Sequence, residues 1–88
     1  MTYSIEVTRE AFRALVKLDK PVRRRLQAAI DDLQREPRPH GVVALKGHHG
    51  AFRIRVGAYR IVYTIDDGRL VVVVVDLGHR SEIYRDLH

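Results

Sequence analysis

The sequence predicts an α+β domain with two layers, in which a helical hairpin packs on one face of a mainly antiparallel sheet. Two observations carry this prediction. The first 33 residues hold one short alternating segment and two segments with the apolar period of an α-helix. Residues 51–77 then alternate between apolar and polar side chains or are rich in valine, which is typical of strands. The predicted order β-α-α-β-β-β and a length of 88 residues indicate a single domain, residues 1–88, with one core.

The helical hairpin is predicted from capping and breaking residues. After a strand at residues 2–7, Thr8 fits the N-cap of a first helix that ends near residues 19–20. Pro21 suits the first turn of a second helix, because the N–H that proline lacks would have no helical partner there. Two prolines within residues 36–41 end this second helix. The apolar positions follow the helical period: Phe12, Leu15, Val16 and Leu18 in the first helix, and Val22, Leu26, Ala29, Ile30 and Leu33 in the second.

The sheet is predicted from two hairpin signals. Gly57-Ala58 and Asp67-Gly68 are short turn segments between apolar runs. The valine run at residues 71–75 predicts a central strand that is covered on both faces. Residues 42–50 are expected to form a connecting loop anchored by Leu45. The last three strands are expected at residues 52–56, 59–66 and 69–77.

The feature that bears most on function is a set of arginines on these strands. If Gly57-Ala58 forms a two-residue loop, Arg55 lies directly opposite Arg60. Strand alternation then places Arg53, Arg55 and Arg60 on the face away from the helices. Like charges directly opposite each other destabilise a sheet. A sequence that keeps such a pair is expected to bind an anionic partner, and RNA is the first candidate.

The tail, residues 78–88, is expected to turn helical and to bring further groups to this face. Extending the hairpin register places Arg60 near Val75, so a tail that folds back would lie beside Arg60. RNA is cut without a metal when its 2′-hydroxyl attacks the neighbouring phosphorus, which requires proton transfer and charge stabilisation. Arginines stabilise charge but carry protons poorly. His79 and Tyr84 are therefore the candidate proton carriers, the first by its ordinary pKa and the second through a pKa lowered by neighbouring arginines.

The composition excludes several classes of protein. Sixteen Lys and Arg against eleven Asp and Glu give a net charge of +5, which attracts nucleic acid or acidic protein. There is no cysteine and the five histidines form no zinc spacing, so neither a metal site nor a cofactor is predicted. The N-terminus lacks a secretory signal, and the longest apolar run, residues 70–75, is too short to span a bilayer. We therefore expect a cytoplasmic protein without a membrane partner.

Three segments of the sequence together resemble a known family. They are Leu45-Lys46-Gly47, then FRIRVGAYRIVYTIDDG from residue 52, and VVVDLGHRSEIYR from residue 73. With these segments the chain resembles, over nearly its whole length, the RelE-type toxins of bacterial and archaeal type II toxin–antitoxin systems. This resemblance implies the same fold. It also implies a metal-independent endoribonuclease that cuts messenger RNA in the ribosomal A site through attack by the 2′-hydroxyl.

The resemblance also implies roles for individual residues. Arg60 matches the strand arginine that stabilises the phosphate. Arg80 matches the arginine that acts as transition-state stabiliser or general acid, and Tyr84 matches the tyrosine that orients or activates the 2′-hydroxyl. The best-known members have a pair of lysines where this chain has arginines of the same charge. The residues expected to bind RNA are Lys46, Arg53 and Arg55.

The partners that the resemblance implies are a cognate antitoxin, the ribosome and its messenger RNA. The antitoxin is expected to be acidic and partly disordered, and operator DNA is reached only through it. Two alternatives stay open. ParE-like relatives share the fold but poison DNA gyrase, and a homologue without catalytic activity would only bind RNA or act as a corepressor.

Overall fold

The computed structural model describes residues 2–47 and 50–79. Arg80, Tyr84 and the expected helical tail lie outside the described residues. The elements along the chain are β1 (Ser4–Val7), α1 (Arg9–Val16), α2 (Lys20–Asp32), β2 (Val43–Ala44), β3 (Ala51–Val56), β4 (Tyr59–Asp66) and β5 (Val71–His79). The predicted α+β class and element order are confirmed, with one additional short strand.

The sheet has the strand order β1-β5-β4-β3-β2. β1 runs parallel to β5, and the other three neighbouring pairs are antiparallel, as expected for a mainly antiparallel sheet. The extra strand β2 lies within the segment that was predicted as a loop, and that part of the prediction is wrong. The two residues of β2 are too few to show the alternation that predicts a strand from sequence. They form a strand because they pair with Phe52 and Arg53 on β3.

The core lies between the two helices and one face of the sheet. α1 contributes Ala11 and Leu15 to it, and α2 contributes Leu26 and Ile30. The sheet supplies buried side chains from β3, β4 and β5: Ile54, Ile61, Tyr63, Val72, Val74 and Leu77. The valine run is therefore interior, but Val72 and Val74 are buried whereas the alternate valines on the other face are only half-buried.

The start of α1 depends on Thr8. Its Oγ1 accepts a hydrogen bond from the Ala11 N–H at 3.2 Å and donates to the carbonyl of Val75 at 3.2 Å, so the predicted N-cap also ties the helix to β5. α1 is shorter than predicted, because its last residue is Val16. The predicted apolar stripe is only partly buried: Phe12 is 56% exposed and Val16 is 47% exposed.

The turn between β4 and β5 differs from the prediction, and the register changes with it. Asp67-Gly68 was expected as a two-residue loop, but the turn spans residues 67–70, and Asp66 pairs with Val71. Leu70 has a φ of 56°, a conformation that bulky residues rarely adopt. A bulge at Val75 adds one more residue to β5.

Arg60 consequently pairs with Gly78, and the expectation that it lies near Val75 is wrong. The two extra turn residues and the bulged residue together account for the shift of three positions. β5 also extends to His79 instead of ending at Leu77. The segment expected to fold back therefore begins as a continuation of the sheet.

Three polar side chains, Tyr3, Arg38 and Asp67, form a hydrogen-bonded cluster that we call the clasp. It joins the β4–β5 turn to the segment after α2 and to the residue before β1. Arg38 donates from Nη1 and Nη2 to both Asp67 carboxylate oxygens, at 3.1 and 2.8 Å, and Tyr3 donates its hydroxyl to Oδ1 at 2.6 Å. The Arg38 guanidinium also lies 5.4 Å from the ring centre of Phe52. The hydrogen bonds from Arg38 and then Tyr3 lower the pKa of Asp67 to about 2.

Replacing Thr8 with Ala is expected to lower the free energy of unfolding by about 1–2 kcal/mol, because the helix loses its cap. Urea unfolding followed by circular dichroism measures the change. Thr8→Ser is the matched control, since it keeps the hydroxyl. Equal losses in the Ala and Ser variants would show that the methyl group, and not the cap, stabilises the protein.

The clasp is expected to make stability depend on pH in acid. Because the pKa of Asp67 is lowered to about 2 in the folded protein, its stabilising contribution is complete above its ordinary pKa, near pH 4, and is lost as the pH falls toward 2. Asp67→Asn should therefore be less stable than the parent at neutral pH, and the two urea midpoints should converge toward pH 2. Glu6→Gln, which neutralises an exposed carboxylate on β1, is the control and should show no such convergence.

Candidate functional site

The face of the sheet opposite the helices carries the predicted basic residues. β3 and β4 pair as expected: Val56 lies opposite Tyr59, and Arg55 lies opposite Arg60. Gly57 has a φ of 62° and is followed by a residue with negative φ, which is the pattern of a type II′ turn. Because two-residue loops fix hairpin register, the convergence of Arg55 and Arg60 follows from the turn itself.

Arg60 is the buried cation of this face. Only 7% of its surface is exposed, and its Nε and Nη1 atoms are shielded from solvent. It lies on β4, between Arg55 on β3 and Gly78 on β5. Gly78 presents no side chain beside it. A guanidinium stays protonated in proteins, so this position holds a fixed positive charge in a partly dehydrated setting. Such a preorganised charge is well suited to stabilise an oxyanion.

His79 does not share the face of Arg60. It pairs with Tyr59 across the β4–β5 ladder, and the two rings make an edge-on contact with centroids 5.7 Å apart. Tyr59 packs against the core, so both rings lie on the side of the helices. The expected cleft with Arg60 and His79 side by side is therefore wrong in its geometry, because the register shift changes which residues share a face. A role of His79 in proton transfer stays a prediction.

Arg53 lies on the same face as Arg60 and is half-buried opposite Val62. Lys46 is exposed in the turn that follows β2, so it lies off the strands that carry the arginines. Of the seven predicted site residues, the structure thus brings Arg53, Arg55 and Arg60 onto one face. Lys46 and His79 lie elsewhere, and Arg80 and Tyr84 lie outside the described residues.

Asp76 is a residue of this face that the sequence analysis missed. It pairs with Val62, and its Oδ1 accepts a hydrogen bond from the Leu77 N–H at 2.9 Å. A carboxylate therefore stands on the same face as the arginines. The bulge at Val75 determines its side of the sheet. The signal in the sequence was an aspartate that interrupts an apolar run, although its face could not be deduced.

Tyr63, the second tyrosine of β4, belongs to the core. Tyr63 is fully buried, and its hydroxyl donates to the carbonyl of Pro37 at 2.7 Å. Burial raises the pKa of Tyr63 to about 12, so its phenol stays protonated at neutral pH. Tyr63 is therefore a core residue. In the part of the chain that the structure describes, no helix is long and apolar enough to cross a membrane.

Fold and site together define a small α+β protein with an arginine-rich sheet face suited to bind a polyanion. A family model described as "ParE toxin of type II toxin-antitoxin system, parDE" matches residues 5–84. The chain belongs to this RelE/ParE superfamily of type II toxins, and it is a toxin of the RelE type.

Two curated relatives extend over nearly the whole chain. Toxin RelG of Mycobacterium tuberculosis is 37% identical over 86 residues, which cover 97% of this chain and 99% of the relative. The mRNA interferase toxin RelE of Escherichia coli K12 is 29% identical over an alignment of 90 residues, which covers 98% of this chain and 94% of the relative. The similarity therefore extends over nearly the full length of both relatives.

Solved structures agree with this assignment. The toxin–antitoxin complex RelBE2 from Mycobacterium tuberculosis has a chain with a TM-score of 0.80 and 32% identity, covering 92% of this chain and 94% of that one. The archaeal RelE–RelB complex from Pyrococcus horikoshii OT3 has a chain with a TM-score of 0.79 and 30% identity, covering 91% and 97%. Both identify the same arrangement of two helices on a mixed sheet.

Replacing Arg55 with Gln is expected to stabilise the free protein by about 0.5 kcal/mol at low salt, because it removes the like charge opposite Arg60. The gain should shrink as salt is added, since salt screens exposed charges. Urea unfolding at two salt concentrations measures both effects. Arg53→Gln is the matched control, because Arg53 lies opposite an uncharged valine. A salt-independent effect of the Arg55 change would contradict this electrostatic explanation.

Proposed function

We propose that this toxin is a metal-independent, ribosome-dependent endoribonuclease that cuts messenger RNA in the ribosomal A site. The observation that carries the proposal is the buried Arg60 opposite Arg55, on a sheet face with a third arginine. This arrangement suits an RNA phosphate that gains charge during the reaction. The family membership and the printed name of the Escherichia coli relative, an mRNA interferase, support it.

The proposed reaction is an attack of the RNA on itself. The 2′-oxygen forms a bond to the adjacent phosphorus and gives up its proton, while the bond from phosphorus to the 5′-oxygen breaks and that oxygen gains a proton. The products are a 2′,3′-cyclic phosphate and a 5′-hydroxyl. Arg60 stabilises the additional negative charge on the phosphoryl oxygens, and Arg53 and Arg55 bind the neighbouring backbone.

Proton transfer is assigned to the groups that follow β5. Tyr84 orients or activates the 2′-hydroxyl, and Arg80 stabilises the transition state or protonates the leaving oxygen. These roles rest on the family resemblance. The separation of the His79 ring from the face of Arg60 favours Tyr84 over His79 as the proton carrier. Lys46 completes the RNA-binding set from the turn after β2.

The proposed partners follow from the same family. A cognate antitoxin, acidic and partly disordered, would bind a toxin of charge +5 rapidly and fold on it. The complexes of RelE with RelB among the structural neighbours support such a partner. Operator DNA would be reached through the antitoxin. The toxin would act in the cytoplasm, where ribosomes and messages are found.

A second candidate is a ParE-like inhibitor of DNA gyrase, because the matching family model carries the ParE name. The buried arginine on the sheet face favours the nuclease, since a fixed charge of this kind is useful to phosphoryl chemistry. The third candidate function is that of a homologue that binds RNA without cutting it. The three candidate functions differ in what happens to cellular RNA when the protein is produced.

Arg60→Ala is expected to reduce the rate of cleavage by at least about 10²-fold. In other enzymes, removal of one hydrogen-bond donor that stabilises an oxyanion reduces the rate by a similar factor. The chain is induced in growing bacteria, and primer extension on several abundant messages locates the cuts. Cuts should recur at a fixed position in codons and stay within translated regions. Arg9→Ala, a change of the same charge at an exposed position of α1, is the matched control and should cleave normally.

The alternatives give different results in the same experiment. Growth arrest with intact messages would indicate gyrase inhibition, and no arrest would indicate a homologue that only binds. Tyr84→Phe should remove toxicity but leave antitoxin binding nearly unchanged. If Tyr84→Phe stays toxic while charge reversal at Arg53 abolishes the effect, the catalytic proposal is wrong.

A further inference from the structure

The tip of the β3–β4 hairpin is contacted by an arginine from the helical layer. Arg25 lies on α2, and a methyl carbon placed on Gly57 would lie 2.9 Å from its Nη2 and 3.7 Å from its Cζ. The Arg25 guanidinium therefore rests against the backbone of Gly57. A β-carbon at this position would displace the Arg25 guanidinium, and glycine is also the residue that most readily adopts the φ of 62° found here.

A second arginine reaches the same backbone from the sheet. Arg55 directs its Nε toward the carbonyl of Gly57, at 3.4 Å. Arg25 and Arg55 thus approach one residue from two layers of the fold. Gly57 and Ala58 are both exposed and small, so no bulky side chain separates the helix side of the tip from the face that carries Arg60. The positive charge continues around the tip.

Within the described residues, neither Arg25 nor Arg55 forms an ion pair with a carboxylate. The ion pairs of Arg35 with Asp32 and of Arg38 with Asp67 both lie away from the tip. On α2, the positions three and four residues from Arg25 are Pro21, Val22, Ala28 and Ala29. An intrahelical ion pair is therefore impossible for Arg25. Its proximity to Arg55 costs free energy unless an anion binds between them.

We propose that Arg25 binds a backbone phosphate of RNA, so that the RNA path leaves the face of Arg60, crosses the hairpin tip at Gly57 and reaches α2. This inference rests on the proposed function and extends it, because it adds a residue of the helical layer to the substrate-binding surface. The phosphate belongs either to the message or to ribosomal RNA. Arg25 contributes to binding and takes no part in bond cleavage.

The experiment compares two adjacent arginines of α2. Arg24 and Arg25 are both exposed, and Arg25→Gln and Arg24→Gln change the net charge equally. Each purified variant is titrated onto a short single-stranded 2′-O-methyl oligoribonucleotide, which cannot be cut, over a series of salt concentrations. Fluorescence anisotropy gives the affinity at each salt concentration. Arg25→Gln should weaken binding about tenfold and reduce the slope of log K against log salt by about 0.7, the value for one phosphate contact on a single strand.

Arg24→Gln should change the slope little, and Arg25→Lys should restore most of it because the charge is kept. Thermal unfolding of every variant distinguishes binding from packing. If Arg25 only packs against Gly57, Arg25→Gln will lower the unfolding temperature and bind RNA as Arg24→Gln does. That result overturns the proposal.

A parallel titration onto ribosomes without message identifies the source of the phosphate. A selective loss with the oligoribonucleotide assigns it to the message, and a selective loss with ribosomes alone assigns it to ribosomal RNA. Equal behaviour of the Arg24 and Arg25 variants in both titrations overturns the proposal. These are binding measurements, so they stand even if the protein proves not to cleave RNA, and that failure appears separately in the primer-extension experiment.

Discussion

The ladder between β4 and β5 is the constraint on which the rest of the structure depends. Its helix-side face supplies Ile61, Tyr63 and Val72 to the core, and its other face carries Arg60. A shift of one residue in this ladder would exchange the two faces of β5 relative to β4. The bulge at Val75 changes which residues of β5 face the core. Because of it, β5 fills the core at the end near Asp66 and still places Gly78 beside Arg60.

The sheet separates two tasks that oppose each other energetically. One face buries large apolar side chains against α1 and α2, which supplies the free energy of folding. The other face gathers cations, with Arg55 opposite Arg60, which costs free energy in the absence of an anion. The stabilising core makes the unfavourable charge arrangement possible. In the proposed reaction, RNA would therefore meet charges that are already in place, which reduces the reorganisation that stabilising its phosphate requires.

The sequence predicted the parts of the fold that local chemistry determines. Thr8 and Pro21 identify the helix starts, and Gly57-Ala58 fixes the Arg55–Arg60 pair because a two-residue loop has one register. The register of β5 could not be predicted. It depends on Leu70 in a left-handed conformation, for which leucine gives no signal, and on a bulge in a run of similar valines. The placement of His79 and the presence of Asp76 on the basic face follow from those two features.

The parallel pairing of β1 with β5 has a consequence for the synthesis of this protein. Ser4 to Val7 pair with Val71 to Val74, so the first strand has its sheet partner only after most of the chain has been translated. Contacts this distant in sequence close late in folding. Arg60 likewise gains Gly78 as its neighbour only when β5 is added. A nascent chain that stops before β5 would hold the β3–β4 hairpin with its arginines, but it would lack the strand that places Gly78 beside Arg60.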